Sequence, residues 1–576
     1  MTRWWRAILS LADRVAPVRR ARARLLLSRA KHPSLRGHPR IALRLARLVP
    51  DRLYDAAEFF RSDAAPDDIA ERRQAGFERL GRLLRERGPR TLALTEELKG
   101  SVSDVPFIDA YRVPFQYRDL VRRELPVGSV VSETRGAQVC DLDGNWSYDL
   151  GGSYGVNIFG SEFYKQCIDR GAARVRELGV VLGAYHPVVA DNARRLQEIS
   201  GLDEVSFHMS GTEAVMQAVR LARYHTGRSH IVRFCGAYHG WWDGVQAGVG
   251  NPRPAHEVYT LTEMSETTLQ VLRTRDDIAC VLVNPIQAMH PNAAPPGDST
   301  LLAGDRTASF DRAAYTRWLE RLRAVCSARG IVLIFDEVFL GFRLARGGVQ
   351  EYFGVRADLV TYGKSLGGGL PVGVVCGRRE LMRRFHEDRP TDICFARGTF
   401  NAHPYVMGTM NEFLRHLDDP SVRAGYAGLD GLWDGRARGL NERLEQLGLP
   451  VRVAGMTAIW TTLYTQPGRY HWMFQYYLRA AGLSPGWIGT GRFIFPNDLP
   501  DADFAVIAGR FVAAAEAMRV DGWWWTAGMT AGAIRRRAAR ELLIAGLRGA
   551  SSDRATRRAA GAAGPGDTAS HRGPGR

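Results

Sequence analysis

Lysine is nearly absent from this chain. Lys31, Lys99, Lys165 and Lys364 are the only four in 576 residues, and arginine carries the remaining positive charge. Lys364 stands in Thr361-Tyr-Gly-Lys-Ser-Leu-Gly-Gly-Gly-Leu-Pro371, a glycine-rich turn behind an apolar run. A guanidinium keeps its proton, whereas a desolvated ammonium can give its proton up. A primary amine retained at such a place points to chemistry that needs it, and an unprotonated amine condenses with an aldehyde. Taken alone, the residue also reads as a surface lysine in a loop.

Four further segments carry polar groups of a fitting kind. Ser210-Gly211-Thr212-Glu213 opens an apolar-periodic helix with the spacing of a capping box. Its first amides, with Gly211 allowing close approach and Thr212 adding a hydroxyl, form a ready phosphate site. In Cys235-Gly-Ala-Tyr238-His239-Gly240, a glycine-flanked aromatic after a strand can lie flat on a planar ligand, or simply fill a buried corner. In Ile331-Val-Leu-Ile-Phe-Asp336-Glu337-Val338, a carboxylate ends a run of five apolar residues. That is the carboxyl edge of a strand, where open α/β sheets bind ligands. A half-buried Asp there needs a cationic or hydrogen-bonding partner; a helix cap is the plain alternative. Gly398-Thr399-Phe400-Asn401-Ala402-His403-Pro404 leads into a helix, and Thr399 can offer another phosphate contact.

The elements around these residues alternate between short apolar strands and helices. Strands are expected at Ile231–Phe234, Cys280–Ile286, Ile331–Phe335, Leu359–Tyr362 and Val372–Cys376, and helices at Glu213–Tyr224 and Arg312–Arg329. This rhythm implies a mainly parallel sheet covered on both faces. Neighbouring parallel strands would bring Asp336 and Lys364 to one pocket. Residues 201–420 are read as this large α/β domain. Residues 1–125 are read as a basic helical extension, broken near Gly88-Pro89 and Val105-Pro106, and 126–200 as a hairpin around Asp143-Gly144-Asn145 with a helical segment joining the small domain. A small α+β domain is expected at 421–530, with a helix at Leu440–Leu447, β structure at Ala458–Tyr464 and a closing helix at Phe504–Arg519. A basic tail follows at 531–576, its composition suggesting disorder from about 549.

The net charge of +17 divides unevenly. Residues 1–50 hold 13 basic and one acidic residue (+12), and residues 531–576 hold 10 and three (+7), which leaves −2 for the body. The body therefore gives no reason to expect nucleic acid. The basic ends, with Trp4, Trp5 and Trp523-Trp524-Trp525, suggest docking to an acidic carrier protein or an anionic membrane surface. No apolar run reaches the ~18 residues of a membrane span. The start does not read as a secretory signal. The seven cysteines are scattered without a Cys-x-x-Cys pair, which argues against a zinc site or disulfide framework and suits the cytoplasm.

A helix start for a phosphate, an aromatic for stacking, an Asp for a ring nitrogen and a Lys for an aldehyde together describe pyridoxal 5′-phosphate (PLP). Over residues 126–525 the sequence resembles the class III, fold type I PLP-dependent aminotransferases, and most nearly the glutamate-1-semialdehyde 2,1-aminomutase branch. Phe335-Asp-Glu-Val-Phe-Leu-Gly-Phe-Arg-Leu-Ala-Arg-Gly-Gly-Val-Gln-Glu-Tyr-Phe-Gly-Val355 and Lys364-Ser-Leu-Gly-Gly-Gly-Leu-Pro-Val-Gly373 carry the resemblance. It implies an α/β fold type I enzyme that moves an amino group between an amine or amino acid and a carbonyl. Lys364 would be the catalytic amine and proton shuttle, and Asp336 would pair with the ring nitrogen. Val338 would pack behind the ring and Tyr238 in front, and Gly211 and Thr212 would hold the phosphate. Thr399 would reach the phosphate from the partner subunit of a homodimer with a shared active site. No metal is implied. The chain departs from the family pattern at Asn284-Pro285, where Glu-Pro is usual, and at Gly183-Ala-Tyr-His-Pro187, which is displaced. Arg135, just before the hairpin, is a candidate for a substrate carboxylate. The helical extension suggests a specialised pathway. Other readings are a different PLP reaction, such as racemisation or decarboxylation, and a non-catalytic binding or scaffold protein on the same fold.

Overall fold

The computed structural model describes residues 16–31, 48–110, 112–234, 236–245, 256–285, 311–486 and 491–562, with side chains described up to 547 in the last stretch. Its central sheet has seven strands in the order Glu204–His208, Gly373–Gly377, Leu359–Gly363, Val332–Asp336, Ile278–Val283, His230–Phe234, Val258–Leu261. All run in one direction except Gly373–Gly377, which is antiparallel to both neighbours.

The sheet lies in the middle because its strands are apolar on both sides. Every residue of Ile278–Val283, Val332–Asp336, Leu359–Gly363 and Gly373–Gly377 is buried. Alternate residues serve opposite cores, as a period of two requires. Val332 and Ile334 join Ala214, Ala218 and Leu221 of the helix Gly211–Thr226, while Leu333 and Phe335 face Leu319 and Leu322 of the helix Arg312–Arg329.

Five of the seven strands and both helices lie where the sequence places them, with ends shifted by up to three residues. The strand expected at Cys280–Ile286 runs from Ile278 to Val283, and Ile286 lies outside the described residues. The break expected at Val105-Pro106 falls earlier, because Pro106 occupies the first turn of Asp104–Ala110, where a missing N–H costs nothing. The Gly88-Pro89 break separates Asp67–Arg87 from Pro89–Lys99.

The small domain pairs Val451–Met456, Ile459–Tyr464 and Arg492–Ile494 in an antiparallel sheet beneath Leu429–Gln446 and Asp501–Val520. The hairpin strands Gln138–Cys140 and Trp146–Asp149 are joined by Leu483–Ser484, which ties this segment to the small domain. The helical extension is not a detached arm. Phe59, Phe60, Phe77 and Tyr117 share one core with Trp433, Trp460, Tyr470, Trp472 and Trp523. Within that core Arg73 is fully buried, with both terminal nitrogens 2.8 Å from Asp63 and its guanidinium 4.5 Å from the Tyr470 ring.

Two expectations for the ends change. Trp523 and Trp524 are 2% and 6% exposed, so they pack the small-domain core and present no docking surface. Trp4 and Trp5 lie outside the described residues. The backbone of Ala531–Ala562 continues as helix past residue 549, in keeping with the high helix propensity of Ala and Arg. Residues 563–576 lie outside the described residues. Glu541 anchors this helix by bonding buried Arg469 at 3.0 Å and the Tyr54 hydroxyl at 2.5 Å.

Candidate active site

Two adjacent parallel strands end at the site. Their register pairs Asp336 with Thr361, so Lys364 follows three residues past the carboxylate's partner. The Glu337 amide donates to the Thr361 carbonyl at 2.9 Å and locks the two strand ends together. Lys364 adopts φ 45°. A non-glycine residue held in this left-handed region costs on the order of 1–3 kcal/mol, and such strain gathers at functional sites.

The Lys364 amine is largely withdrawn from solvent. Burial pushes its pKa below the usual lysine value, Asp336 raises it, and the Arg343 guanidinium lowers it again. Its Nζ lies 5.7 Å from the centroid of the Phe339 ring. Asp336 is 3% exposed and firmly oriented. Its Oδ1 accepts from the Val338 amide at 3.1 Å and from the Thr361 hydroxyl at 3.3 Å, and its Oδ2 lies 2.7 Å from Nδ1 of His239. His239 is 1% exposed, and its Nε2 has no partner among the described residues.

The helix Gly211–Thr226 opens beside these groups. Ser210 caps it by accepting from the Glu213 amide at 3.2 Å. The amides of Gly211 and Thr212 are among those a helix leaves without an internal partner, and they carry its partial positive charge. A Cβ on Gly211 would lie 2.5 Å from a methyl of Val338, so only glycine lets the helix start this close to the strand end. A Cβ on Gly240 would likewise meet the Thr212 hydroxyl at 2.6 Å. Tyr238 is 58% exposed, and partial burial raises the pKa of its hydroxyl while Thr212 lowers it.

The fold thus gathers Gly211, Thr212, Tyr238, Asp336, Val338 and Lys364. Thr399 is exposed in the turn before the helix Pro404–His416. Arg135 is exposed and stacks 4.8 Å over the Trp146 ring in the hairpin, where Trp146 lines a separate cavity. Asn284, just past the strand Ile278–Val283, is 7% exposed, with Oδ1 unpartnered among the described residues. Gly183 of the displaced Gly-Ala-Tyr-His-Pro segment approaches Arg397, two residues before Thr399.

Sequence reasoning passed over several groups. His239 was visible beside Tyr238, but nothing local tied it to Asp336. Arg343 is fully buried and donates to the carbonyls of Gly155, Asn157 and Phe495 at 2.9–3.1 Å; burial pushes its pKa down to about 10. Ser365 donates to the Val156 carbonyl at 2.8 Å. Together they fasten the loop around Ser153 and Tyr154, both at positive φ, to the segments that follow Asp336 and Lys364.

The residues fit PLP. The glycine at the helix start leaves room where a Cβ would intrude, the carboxylate is buried and oriented for a cationic partner, and the lysine amine is desolvated. Among the described residues no cluster of His, Cys, Asp and Glu could hold a metal. No described helix is long and apolar enough to cross a membrane.

Comparison with known proteins agrees. The family model for class-III aminotransferases matches residues 121–295 and 306–475. A glutamate-1-semialdehyde 2,1-aminomutase of Citrifermentans bemidjiense is 32% identical over 387 residues, covering 62% of this chain and 83% of that protein. An omega-transaminase from Sphaerobacter thermophilus superposes with a TM-score of 0.58 at 25% identity, over 73% of this chain and 98% of that one. A glutamate-1-semialdehyde aminomutase from Pseudomonas aeruginosa shares the fold, with a TM-score of 0.61 at 18% identity over 78% of this chain and 99% of that one. With the seven-stranded sheet and its lysine–aspartate edge, these matches place the chain in the class-III aminotransferases, PLP-dependent enzymes of fold type I that transfer an amino group between a small-molecule donor and a carbonyl.

Proposed function

We propose that Lys364 is the catalytic amine of this enzyme, and that Asp336, Val338, Tyr238, Gly211 and Thr212 hold the cofactor around it. The observation that carries this reading is the convergence of a desolvated amine and a buried, oriented carboxylate at one strand edge. When bound, PLP supplies an aldehyde and an electron-withdrawing ring that eases loss of the substrate's Cα proton. The chain's own part is placement and proton handling. Lys364 Nζ takes up and returns that proton. Asp336, fixed by Val338, Thr361 and His239, presents a negative charge to the ring nitrogen. The amides of Gly211 and Thr212 face the phosphate, and Tyr238 covers the ring.

The site is completed in this proposal by a second copy of the chain, whose Thr399 reaches the phosphate. Exposed apolar side chains near Thr399, among them Phe395 (69%) and Phe400 (49%), support such an interface, as does Trp241 (74%) beyond Tyr238. The adjacent cavity of about 460 Å³ is lined by Gln217 and Trp242, whose buried polar atoms have no partner among the described residues. The aminomutase reading, an amino shift within one molecule, draws on the 32% identical relative; a two-substrate transaminase draws on the omega-transaminase likeness. The integration of the extension into the small-domain core supports a specialised pathway. The six described cysteines are buried free thiols, which supports a cytoplasmic setting.

Borohydride reduction of the holoenzyme followed by peptide mapping tests the site. The label should sit on Lys364; a label on Lys31, Lys99 or Lys165, or none, would overturn the assignment. Incubation with glutamate-1-semialdehyde alone, against an amino donor plus a keto acid, separates mutase from transaminase.

A further inference from the structure

A second cavity, of about 630 Å³, lies between the helical extension, the hairpin and the small domain. It shares no lining residue with the Lys364 site. Three arginines from separate elements line it, namely Arg87, Arg479 and Arg510. None of them has a carboxylate at ion-pair distance among the described residues. Arg87 and Arg510 donate to the carbonyls of Ala480 and Gly482, the latter at 3.0 Å. Arg479 donates to the Pro485 carbonyl at 2.8 Å, while its buried Nε has no partner among the described residues. Burial, and to a lesser degree the neighbouring Arg112, push its pKa down to about 9, against the opposing pull of Tyr476 and Asp109.

The one carboxylate in the wall forms no ion pair with these arginines among the described residues. Asp141 is occupied by its own turn, accepting from the amides of Asp143 and Asn145 at 2.9 Å and from the Asn145 side chain. The remaining wall is largely apolar, with Leu84, Leu92, Val127, Trp146 and Leu483. Arg479 and Arg510 are half-buried and Arg87 is exposed, and partly desolvated cations without counter-ions favour an anion that pairs with them. Arginine also presents a fork of donors suited to carboxylate and phosphate oxygens.

We propose that this cavity binds a small organic anion, a carboxylate or phosphate monoester joined to an apolar or aromatic body. Its charged end faces the three arginines and its body rests on Trp146 and the aliphatic wall. Because the cavity is closed on one side by the extension, its occupant bridges that extension to the small domain.

Isothermal titration of the cofactor-loaded enzyme with phenyl phosphate, benzoate and benzyl alcohol tests this. One or both anions should bind saturably, and benzyl alcohol should not; which anion binds tighter tells phosphate from carboxylate recognition. Arg510→Gln and Arg87→Gln should each weaken binding about tenfold or more, the worth of a charge-assisted hydrogen bond. Arg87 is exposed, so its variant serves if Arg510→Gln disturbs folding. Neither anion binding in the millimolar range, equal binding of the alcohol, or wild-type affinity in the folded variants would each overturn the proposal. Retained binding in Lys364→Ala, with the losses in the arginine variants unchanged, keeps the cavity distinct from the active site.

Discussion

The packing of Gly211 against Val338 in the cofactor cradle makes a quantitative prediction. A Cβ at position 211 would sit 2.5 and 3.0 Å from the two methyls of Val338 and 3.3 Å from its Cβ. Carbon atoms attract best at about 3.5–4.0 Å, so both methyl contacts are strongly repulsive. Neither side yields easily, because Val338 is fixed through its amide to Asp336 and the helix is held by its Ser210 cap. Forcing a methyl into a packed site costs about 1–3 kcal/mol. The displaced groups are the proposed phosphate-binding amides, so Gly211→Ala should weaken PLP binding by about 5- to 150-fold. Val338→Ala removes both methyls and leaves only the 3.3 Å contact, which a small shift absorbs. The double variant should therefore bind the cofactor more tightly than Gly211→Ala alone, a coupling between neighbours that independent sites do not show. The assay is titration of apoenzyme with PLP, followed by visible absorbance, for all four members of the cycle. Wild-type affinity in Gly211→Ala, or losses that simply add in the double variant, would refute the packing argument and the placement of the phosphate at this helix start.

Three other outcomes follow from contacts already described. Lys364→Arg should lose activity by a factor of about 10² or more, as Lys364→Ala should, because the guanidinium keeps its proton at any working pH; turnover of the arginine variant near wild type would remove Lys364 from proton transfer. Asp63→Ala should destabilise the chain by about 3–5 kcal/mol, since it leaves Arg73 buried without its carboxylate, and the loss should appear in denaturant unfolding as early release of the extension. Glu337 is fully buried, accepting from the Val349 amide at 2.7 Å, and burial pushes its pKa up to about 8. The folded chain then holds a proton that the unfolded chain gives up from about pH 4.5, so this group's contribution to stability falls as pH rises to about 8 and levels off above it. Glu337→Gln should flatten that decline in thermal melts from about pH 5 to 8; parallel wild-type and variant profiles would show that the carboxyl ionises as freely folded as unfolded.

How much of this could be read from the sequence depends on how local each signal is. The inner strands stand out because burial on both faces demands unbroken apolar runs, and a run that stops at Asp336 or Gly363-Lys364 marks its own carboxyl edge. The strands Glu204–His208 and Val258–Leu261 escape notice because they lie at the two edges of the sheet. Each buries fewer of its residues, so neither carries a continuous apolar run. The partners of the site residues are less legible still. The 2.7 Å contact between His239 and Asp336 joins residues 97 apart, and that between Arg343 and the Gly155 carbonyl joins residues 188 apart; no spacing rule reaches so far.

The same reasoning explains why Trp523 and Trp524 mislead. Composition sees Trp523-Trp524-Trp525 among arginines and suggests a surface, whereas the fold places Arg73 5.6 Å from the Trp523 ring with Asp63 neutralising its charge. An arginine beside an aromatic residue reads alike in sequence whether it lies at a membrane surface or in a core; only the carboxylate paired with it tells the two apart. Applied to Arg87, Arg479 and Arg510, that criterion gives the opposite result, because they line a cavity and no carboxylate pairs with them among the described residues. Where the extension meets the small domain, then, arginines fall into two kinds. Those at 73 and 469 are matched by Asp63 and Glu541 and hold the extension and the terminal helix in place. Those around the second cavity are left for a ligand to match, and a ligand there would strengthen the same attachment that Asp63 supports. An anion bound in that cavity should therefore recover part of the stability lost in Asp63→Ala, whereas benzyl alcohol should recover none; equal effects of the two on the variant's melting would separate the cavity from the docking of the extension.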